Sequence, residues 1–165
     1  VWMKGPGRGV AGADGAEAGV EKRVGLHGAR RPAAGATWEG DPRGLPAAVA
    51  RTDGLMLMDC LTMWLTRLFL ASTASEEGGE AEWLAEEAKI TALARGLFES
   101  VKPDASLVVV SNEVGLGLVP PYRMGRRFRD MQGRMNQLCA GYAEGVALVV
   151  AGCPLWVKGG APLGL

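Results

Sequence analysis

A single histidine, His27, stands among the 165 residues, in the run RVGLHGARRP. A neutral imidazole is a competent nucleophile toward phosphorus, and histidine is among the residues that form covalent intermediates. Arg30 and Arg31 follow closely, and guanidinium groups suit phosphate oxygens. The stretch therefore has the composition of a polyphosphate-handling loop beside a group that titrates near neutrality. A solvated surface histidine in a polar loop is the plainer alternative. Glu39 lies twelve residues further on. Asp59 ends the apolar run Leu55-Met56-Leu57-Met58, the form of a strand whose terminal carboxylate meets a metal ion or nucleotide. It would equally serve as the N-cap of a helix beginning Cys60-Leu61-Thr62. Asn112-Glu113 sit in the loop VSNEVGLGLVPP just past a second apolar run; a rigid scaffold often carries function on such a loop. An ordinary glycine-rich turn packed by Val114, Leu116 and Leu118 is the competing reading.

The elements that must position these groups follow from hydrophobic pattern. Leu55–Met58, Leu107–Val110 and Val146–Val150 read as short strands buried on both faces, and Pro154–Lys158 as a fourth. Pro46–Arg51 reads as a short helix. Leu61, Trp64, Leu65, Leu68 and Phe69 have helical spacing. Gly78-Gly79 precede a long helix from about Glu80 to Val101, with Ile90, Leu93, Leu97 and Val101 on one face and Glu86, Glu87, Lys89 and Arg95 elsewhere. Pro120-Pro121 open a third helix on which Met124, Phe128, Met131, Met135, Leu138 and Tyr142 recur at intervals of three and four. Arg123, Arg126, Arg127, Arg129 and Arg134 occupy much of its remaining surface. That surface reads as a solvated face or as a patch for phosphate or a neighbouring subunit's carboxylates. Residues 1–45 hold eleven of the 25 glycines and little apolar periodicity, and read as loop-rich with a short helix near Glu17–Leu26. Strands alternating with helices imply an α/β layered domain with a mostly parallel sheet, whose ligands bind beyond the carboxyl ends of the strands. Asp59, Asn112 and Glu113 all fall there.

Composition narrows the classes of function. Eighteen Lys/Arg balance eighteen Asp/Glu, so no global field gathers nucleic acid or an anionic membrane. The arginine-rich helix lacks the aromatic partners that base stacking requires. One histidine excludes a histidine metal cluster, and no protein metal centre is expected. Three cysteines without a C-x-x-C pair fit a reducing cytoplasm rather than a disulfide scaffold. The longest apolar region, Leu55–Ala71, falls short of about 20 residues and carries Asp59 and Arg67, so no membrane span is expected.

In order and spacing, RVGLHGARRP, TWE, LMLMDCLTMWLTRL, VVVSNEVGLGLVP, RRFRDMQGRMNQ and VALVVAG resemble the bifunctional adenosylcobinamide kinase/adenosylcobinamide-phosphate guanylyltransferase family of cobalamin biosynthesis. The resemblance runs from Glu17 to Lys158. It divides the chain into a divergent glycine-rich stretch (1–16), the family domain (17–158) and a tail (159–165). It implies a P-loop, RecA-like three-layer α/β fold, assembled as a homotrimer in the cytoplasm. Two reactions are implied: phosphorylation of adenosylcobinamide with GTP or ATP and Mg²⁺, then transfer of GMP from GTP to the resulting phosphate.

The family carries the guanylyl group on the histidine of H-x-x-x-R-P, here His27-Gly28-Ala29-Arg30-Arg31-Pro32. Nucleotide contacts are implied at Gly28, Ala29, Arg30, Arg31, Glu39 and Asp59, with further loop contacts at Asn112 and Glu113. The family's first strand and its Walker A loop, G-G-x-R-S-G-K-S, have no counterpart, because no G-x-x-x-x-G-K-[ST] occurs in the 165 residues. The kinase step is thereby the one in question. An inactive fragment or pseudoenzyme, serving as a trimer-forming or nucleotide-binding module, is the alternative. A generic α/β domain that binds a phosphorylated partner through the arginine-rich helix is a third reading. Loss of a strand from inside the sheet is expected to expose unpaired backbone and apolar surface.

Overall fold

The computed structural model describes residues 8–10, 36–38, 40–72 and 78–160. Its elements run β1 (Arg8–Val10), β2 (Ala36–Trp38), a 3₁₀ turn (Pro42–Gly44), α1 (Leu45–Ala50), β3 (Leu55–Asp59) and α2 (Leu61–Leu70). They continue with α3 (Glu80–Glu99), β4 (Ser106–Val110), a second 3₁₀ turn (Val114–Leu116), α4 (Arg123–Tyr142), β5 (Val146–Val150) and β6 (Cys153–Lys158). The short helix expected at Glu17–Leu26 lies outside the described residues.

Four strands pair in parallel in the order β2-β1-β3-β4. The expectation that an inner N-terminal strand is missing from the sheet is corrected here: β1 lies between β2 and β3, and both β1 and β2 come from the stretch read as loop-rich. Strands of three residues are too short to show alternation, so only pairing reveals them, β1 with β3 and β2 with β1. Gly54, at φ 73, lets the chain turn into β3, and its carbonyl accepts the amide of Ser106 at 2.9 Å.

The core lies against one face of this sheet. Met56 and Met58 are buried, with Leu107 and Val109 beside them in register, and the four described helices close over them. Helix α2 contributes Leu61, Trp64, Leu65, Leu68 and Phe69, the stripe its spacing predicted. Phe69 is the meeting point of three helices. Its ring lies 5.0 Å from Trp83 of α3 and 5.6 Å from Phe128 of α4, the second contact edge-to-face. Aromatic pairs of this kind add about 0.5–1.5 kcal/mol beyond the area they bury. Helix α3 buries Trp83, Ile90, Ala94, Leu97 and Phe98. It also buries Glu86, placed by its spacing off the apolar face, whose Oε2 accepts from Lys89 Nζ at 3.1 Å.

Two other expectations change. β3 is not buried on both faces: Leu57 is 40% exposed, while Met56 and Met58 are covered. Val108, which shares the Leu57 face, is buried although it lies outside the core cluster. The described helices of the core cluster pack on the Met56 and Met58 side of the sheet.

β5 and β6 form a separate antiparallel sheet, not a continuation of the parallel one. Their two-residue connection, Ala151-Gly152, has positive φ at both positions, 51° and 79°, as a primed hairpin turn needs. Parallel strands would need a crossover of a dozen residues. A groove lined by Leu107, Val109, Cys139, Tyr142 and Trp156 parts this hairpin from the β4 side of the main sheet. Among the described residues nothing pairs with the outer edge of β4.

The hairpin leaves Leu148, Val149, Val150, Leu155 and Val157 exposed. Contiguous apolar surface on a two-stranded ribbon favours association, and such a ribbon is marginal alone in water. The 165-residue chain is therefore expected to self-associate and to unfold in a broad, low-temperature transition. The double variant Val149→Lys, Leu155→Glu should shift it toward monomer in sedimentation. A monodisperse parent chain with a sharp, high-temperature transition would contradict this.

Candidate functional site

The parallel register of β3 on β4 pairs Asp59 with Val110, so both strands end at one edge. Asp59 is exposed at that edge. It does not cap α2: Cys60 holds the N-cap position and no side chain accepts there. No described residue donates to its carboxylate. The capping alternative for Asp59 is thus not what this structure contains. The carboxylate borders a cleft whose other walls are Trp38, Pro42, Met58, Cys60, Met63, Trp64 and Arg67. One wall is fixed by the Trp64 indole, whose Nε1–H donates to the carbonyl of Pro42 at 2.8 Å. Trp38 brings the carboxyl end of β2, the residue before Glu39, to the cleft that holds Asp59.

Asn112, immediately past β4, reaches across to the start of α2. Its backbone N–H donates to Thr62 Oγ1 at 3.2 Å, and its Nδ2 donates to the same oxygen at 3.0 Å. Nδ2 also lies 3.8 Å from Cys60 Sγ. Glu113 turns back on its own loop, its Oε1 accepting from Gly115 N–H at 3.0 Å as the cap of the second 3₁₀ turn. Asp59 and Asn112 are therefore brought together, with Glu113 adjacent but engaged in shaping the loop. His27, Gly28, Ala29, Arg30, Arg31 and Glu39 lie outside the described residues.

Sequence reasoning missed a polar cluster behind this edge. Gln132 on α4 is fully buried. Its Nε2 donates to Ser111 Oγ at 3.1 Å and to Asn136 Oδ1 at 2.8 Å. Ser111 Oγ–H donates to Asn136 Oδ1 at 2.6 Å, and Asn136 Nδ2 donates to the carbonyl of Asn112 at 3.1 Å. One signal was present in the sequence. Gln132 follows Met131 on the apolar stripe of α4, where an amide is out of place.

The arginines of α4 have internal partners. Arg127 donates to Glu80 Oε2 at 2.9 Å and stacks its guanidinium 4.5 Å from the Trp83 ring centroid; Arg123 approaches the same carboxylate at 3.6 Å. Arg134 pairs with Glu87. Arg129 donates to the carbonyl of Gly115 at 2.6 Å, and Arg126 to the carbonyls of Pro120 and Pro121 at 3.1 and 2.7 Å. The prolines precede α4 and serve as acceptors for its first turn. These arginines brace α4 against α3 and pin the loop after β4.

The family model described as cobinamide kinase / cobinamide phosphate guanyltransferase matches residues 7–157. The chain belongs to this family. It is 36% identical over 153 residues to the bifunctional adenosylcobalamin biosynthesis protein CobP of Pseudomonas aeruginosa, covering 91% of this chain and 81% of that protein. It is also 36% identical over 105 residues to the bifunctional adenosylcobalamin biosynthesis protein CobU of Escherichia coli, covering 63% of this chain and 58% of that protein. With CobU of Salmonella typhimurium the identity is 36% over 107 residues, 64% of this chain and 59% of that protein. Against these two CobU relatives the match spans under two thirds of their length. No described helix is long and apolar enough to cross a membrane. For the cobinamide kinase/guanyltransferase family member described here, the edge holding Asp59 and Asn112 is the candidate site.

The brace has a pH signature. Hydrogen bonding from Arg127, then its charge, lowers the Glu80 pKa below the ordinary 4.5, with Arg123 adding a smaller effect. A carboxylate held low in the folded state stabilises it above the unfolded-chain value, and that contribution fades as pH falls through the lowered one. Glu80→Gln should lower the unfolding midpoint at neutral pH, and the deficit should vanish once pH has fallen through the lowered value. A deficit unchanged between neutral and acid pH would refute the assignment.

Proposed function

We propose that the chain transfers GMP from GTP to the phosphate of adenosylcobinamide phosphate through a guanylylated His27. Membership of a family described as cobinamide kinase and guanyltransferase supports this reading. The observation that carries it is the Asp59 carboxylate, exposed and without a donor among the described residues, at the shared end of β3 and β4, where parallel sheets bind ligands. His27 attacks the α-phosphorus of GTP. A P–N bond forms, the P–O bond to pyrophosphate breaks, and pyrophosphate carries away the electron pair. A phosphate oxygen of the acceptor then displaces the imidazole, restoring free His27 and completing a ping-pong cycle. Arg30 and Arg31 offset charge growing on the phosphates. Gly28 and Ala29 offer backbone N–H groups beside them. Glu39 holds ribose or base, and Asn112 contacts the ligand from the loop after β4.

Mg²⁺ fits the residues present. It keeps several waters and binds through one or two carboxylates plus substrate phosphates, so Asp59 alone is a sufficient protein ligand. Bound there, the ion would neutralise phosphate charge. No cluster of three His, Cys, Asp or Glu side chains occurs among the described residues.

The kinase step, with GTP or ATP as donor, calls for a phosphate-cradling loop, and the 165 residues contain no G-x-x-x-x-G-K-[ST]. That observation favours a second reading in which the chain binds nucleotide without phosphorylating adenosylcobinamide. A homotrimer would cover the apolar hairpin of either form. The reading as a generic phosphate-binding domain is less favoured, because Arg123, Arg127 and Arg134 face carboxylates of α3.

α-Labelled GTP should leave an acid-labile, alkali-stable adduct on the chain that is absent in His27→Ala; an undiminished adduct in that variant sinks the proposal. Asp59→Asn should slow adduct formation at least tenfold at fixed Mg²⁺, about 1.4 kcal/mol. Unchanged kinetics and Mg²⁺ dependence would remove Asp59 from the site.

A further inference from the structure

Gln132 is a costly residue where it stands. Its side chain is fully buried, yet Oε1 accepts no hydrogen bond. A buried polar atom without a partner lowers stability, and an apolar side chain of similar shape would avoid that. What the amide contributes is its Nε2, which holds Ser111 and Asn136, and Asn136 in turn holds the Asn112 carbonyl. The opposite side of Asn112 is fixed by Thr62 and Cys60, which take its amide hydrogens. With the NH₂ turned inward, Asn112 Oδ1 has no donor among the described residues, and the residue is exposed at the Asp59 edge.

We infer that Gln132 and Asn136 are positioning residues: through Ser111 and the Asn112 peptide they aim Asn112 Oδ1 outward to accept an N–H or O–H donor of the substrate. The inference rests on the nucleotidyl-transfer reading and names a recognition element within that site. The clamp ties three separate segments, the start of α2, the end of β4 and the middle of α4. Asn112 is thus held in one orientation before any ligand arrives, and a pre-set acceptor discriminates against ligands lacking the donor. Two sources could supply that donor, the nucleoside of GTP or a side chain of the cobinamide acceptor, and the two half-reactions separate them.

The test is a double-mutant cycle on the full chain, read by adduct formation from α-labelled GTP and by transfer to adenosylcobinamide phosphate. Asn112→Ala and Asn136→Ala should each lower kcat/KM about tenfold or more in the affected half-reaction. The double variant should be no worse than the poorer single, because Asn136 acts through Asn112. Gln132→Met should lower the same rate severalfold while leaving the unfolding midpoint equal or higher, a split that a purely structural role would not give. Loss in adduct formation assigns the donor to the nucleotide; loss confined to transfer assigns it to the acceptor. Multiplicative effects in the double variant, or activity falling only in step with the unfolding midpoint, would overturn the inference while adduct formation upheld the functional reading. A parent chain that forms no adduct would overturn both.

Discussion

Parallel pairing of β3 with β4 is the constraint on which the rest depends. In a parallel pair both strands end at the same edge, so whatever follows each is delivered to one place. Here that delivers Asp59 and the start of α2 from one strand, and Ser111 to Gly117 from the other. An antiparallel pairing would have put Asn112 at the opposite end of the sheet from Asp59. The pairing holds because Met56, Met58, Leu107 and Val109 share a face that the helices cover.

Helix α4 makes that edge rigid. Its apolar stripe enters the core at Met131 and Met135, while its polar side chains reach in three directions. Arg127 and Arg134 grip carboxylates of α3, Arg129 and Arg126 hold carbonyls of the loop after β4, and Gln132 with Asn136 secures the strand end itself. Each exposed ion pair is worth only about 0–1 kcal/mol. Their effect is geometric: a charged face that looks solvated in a helical projection is consumed in fixing one loop.

Legibility in the sequence followed burial. The helices and the interior strands were readable because a buried stripe imposes periodicity, as with Leu61, Trp64, Leu65, Leu68 and Phe69. β1 and β2 were not, since three residues in a glycine-rich stretch carry no period and their partners are far off in sequence. The β5–β6 hairpin escaped because its turn is Ala151-Gly152, without the Asn-Gly or Asp-Gly that normally announces one. The place of Asp59 and Asn112 at one edge of the sheet was legible from their positions after apolar runs. Gln132 and Asn136 were not, because a buried amide network leaves no sequence pattern beyond one polar residue on an apolar stripe. Membership of the cobinamide kinase/guanyltransferase family was legible from motif order alone.

The hairpin's attachment sets how the molecule comes apart. Lys158 Nζ at the end of β6 donates to the carbonyls of Ala140 and Gly141, at 2.8 and 3.4 Å, in the last turn of α4. There a cation meets the negative end of the helix dipole. The two sheets share no backbone ladder, so the hairpin can open while the four-stranded sheet stays intact, as a separate cooperative unit. The end of α4 would then fray with it, whereas the clamp at Gln132 and Asn136, two turns further in, belongs to the unit that opens last.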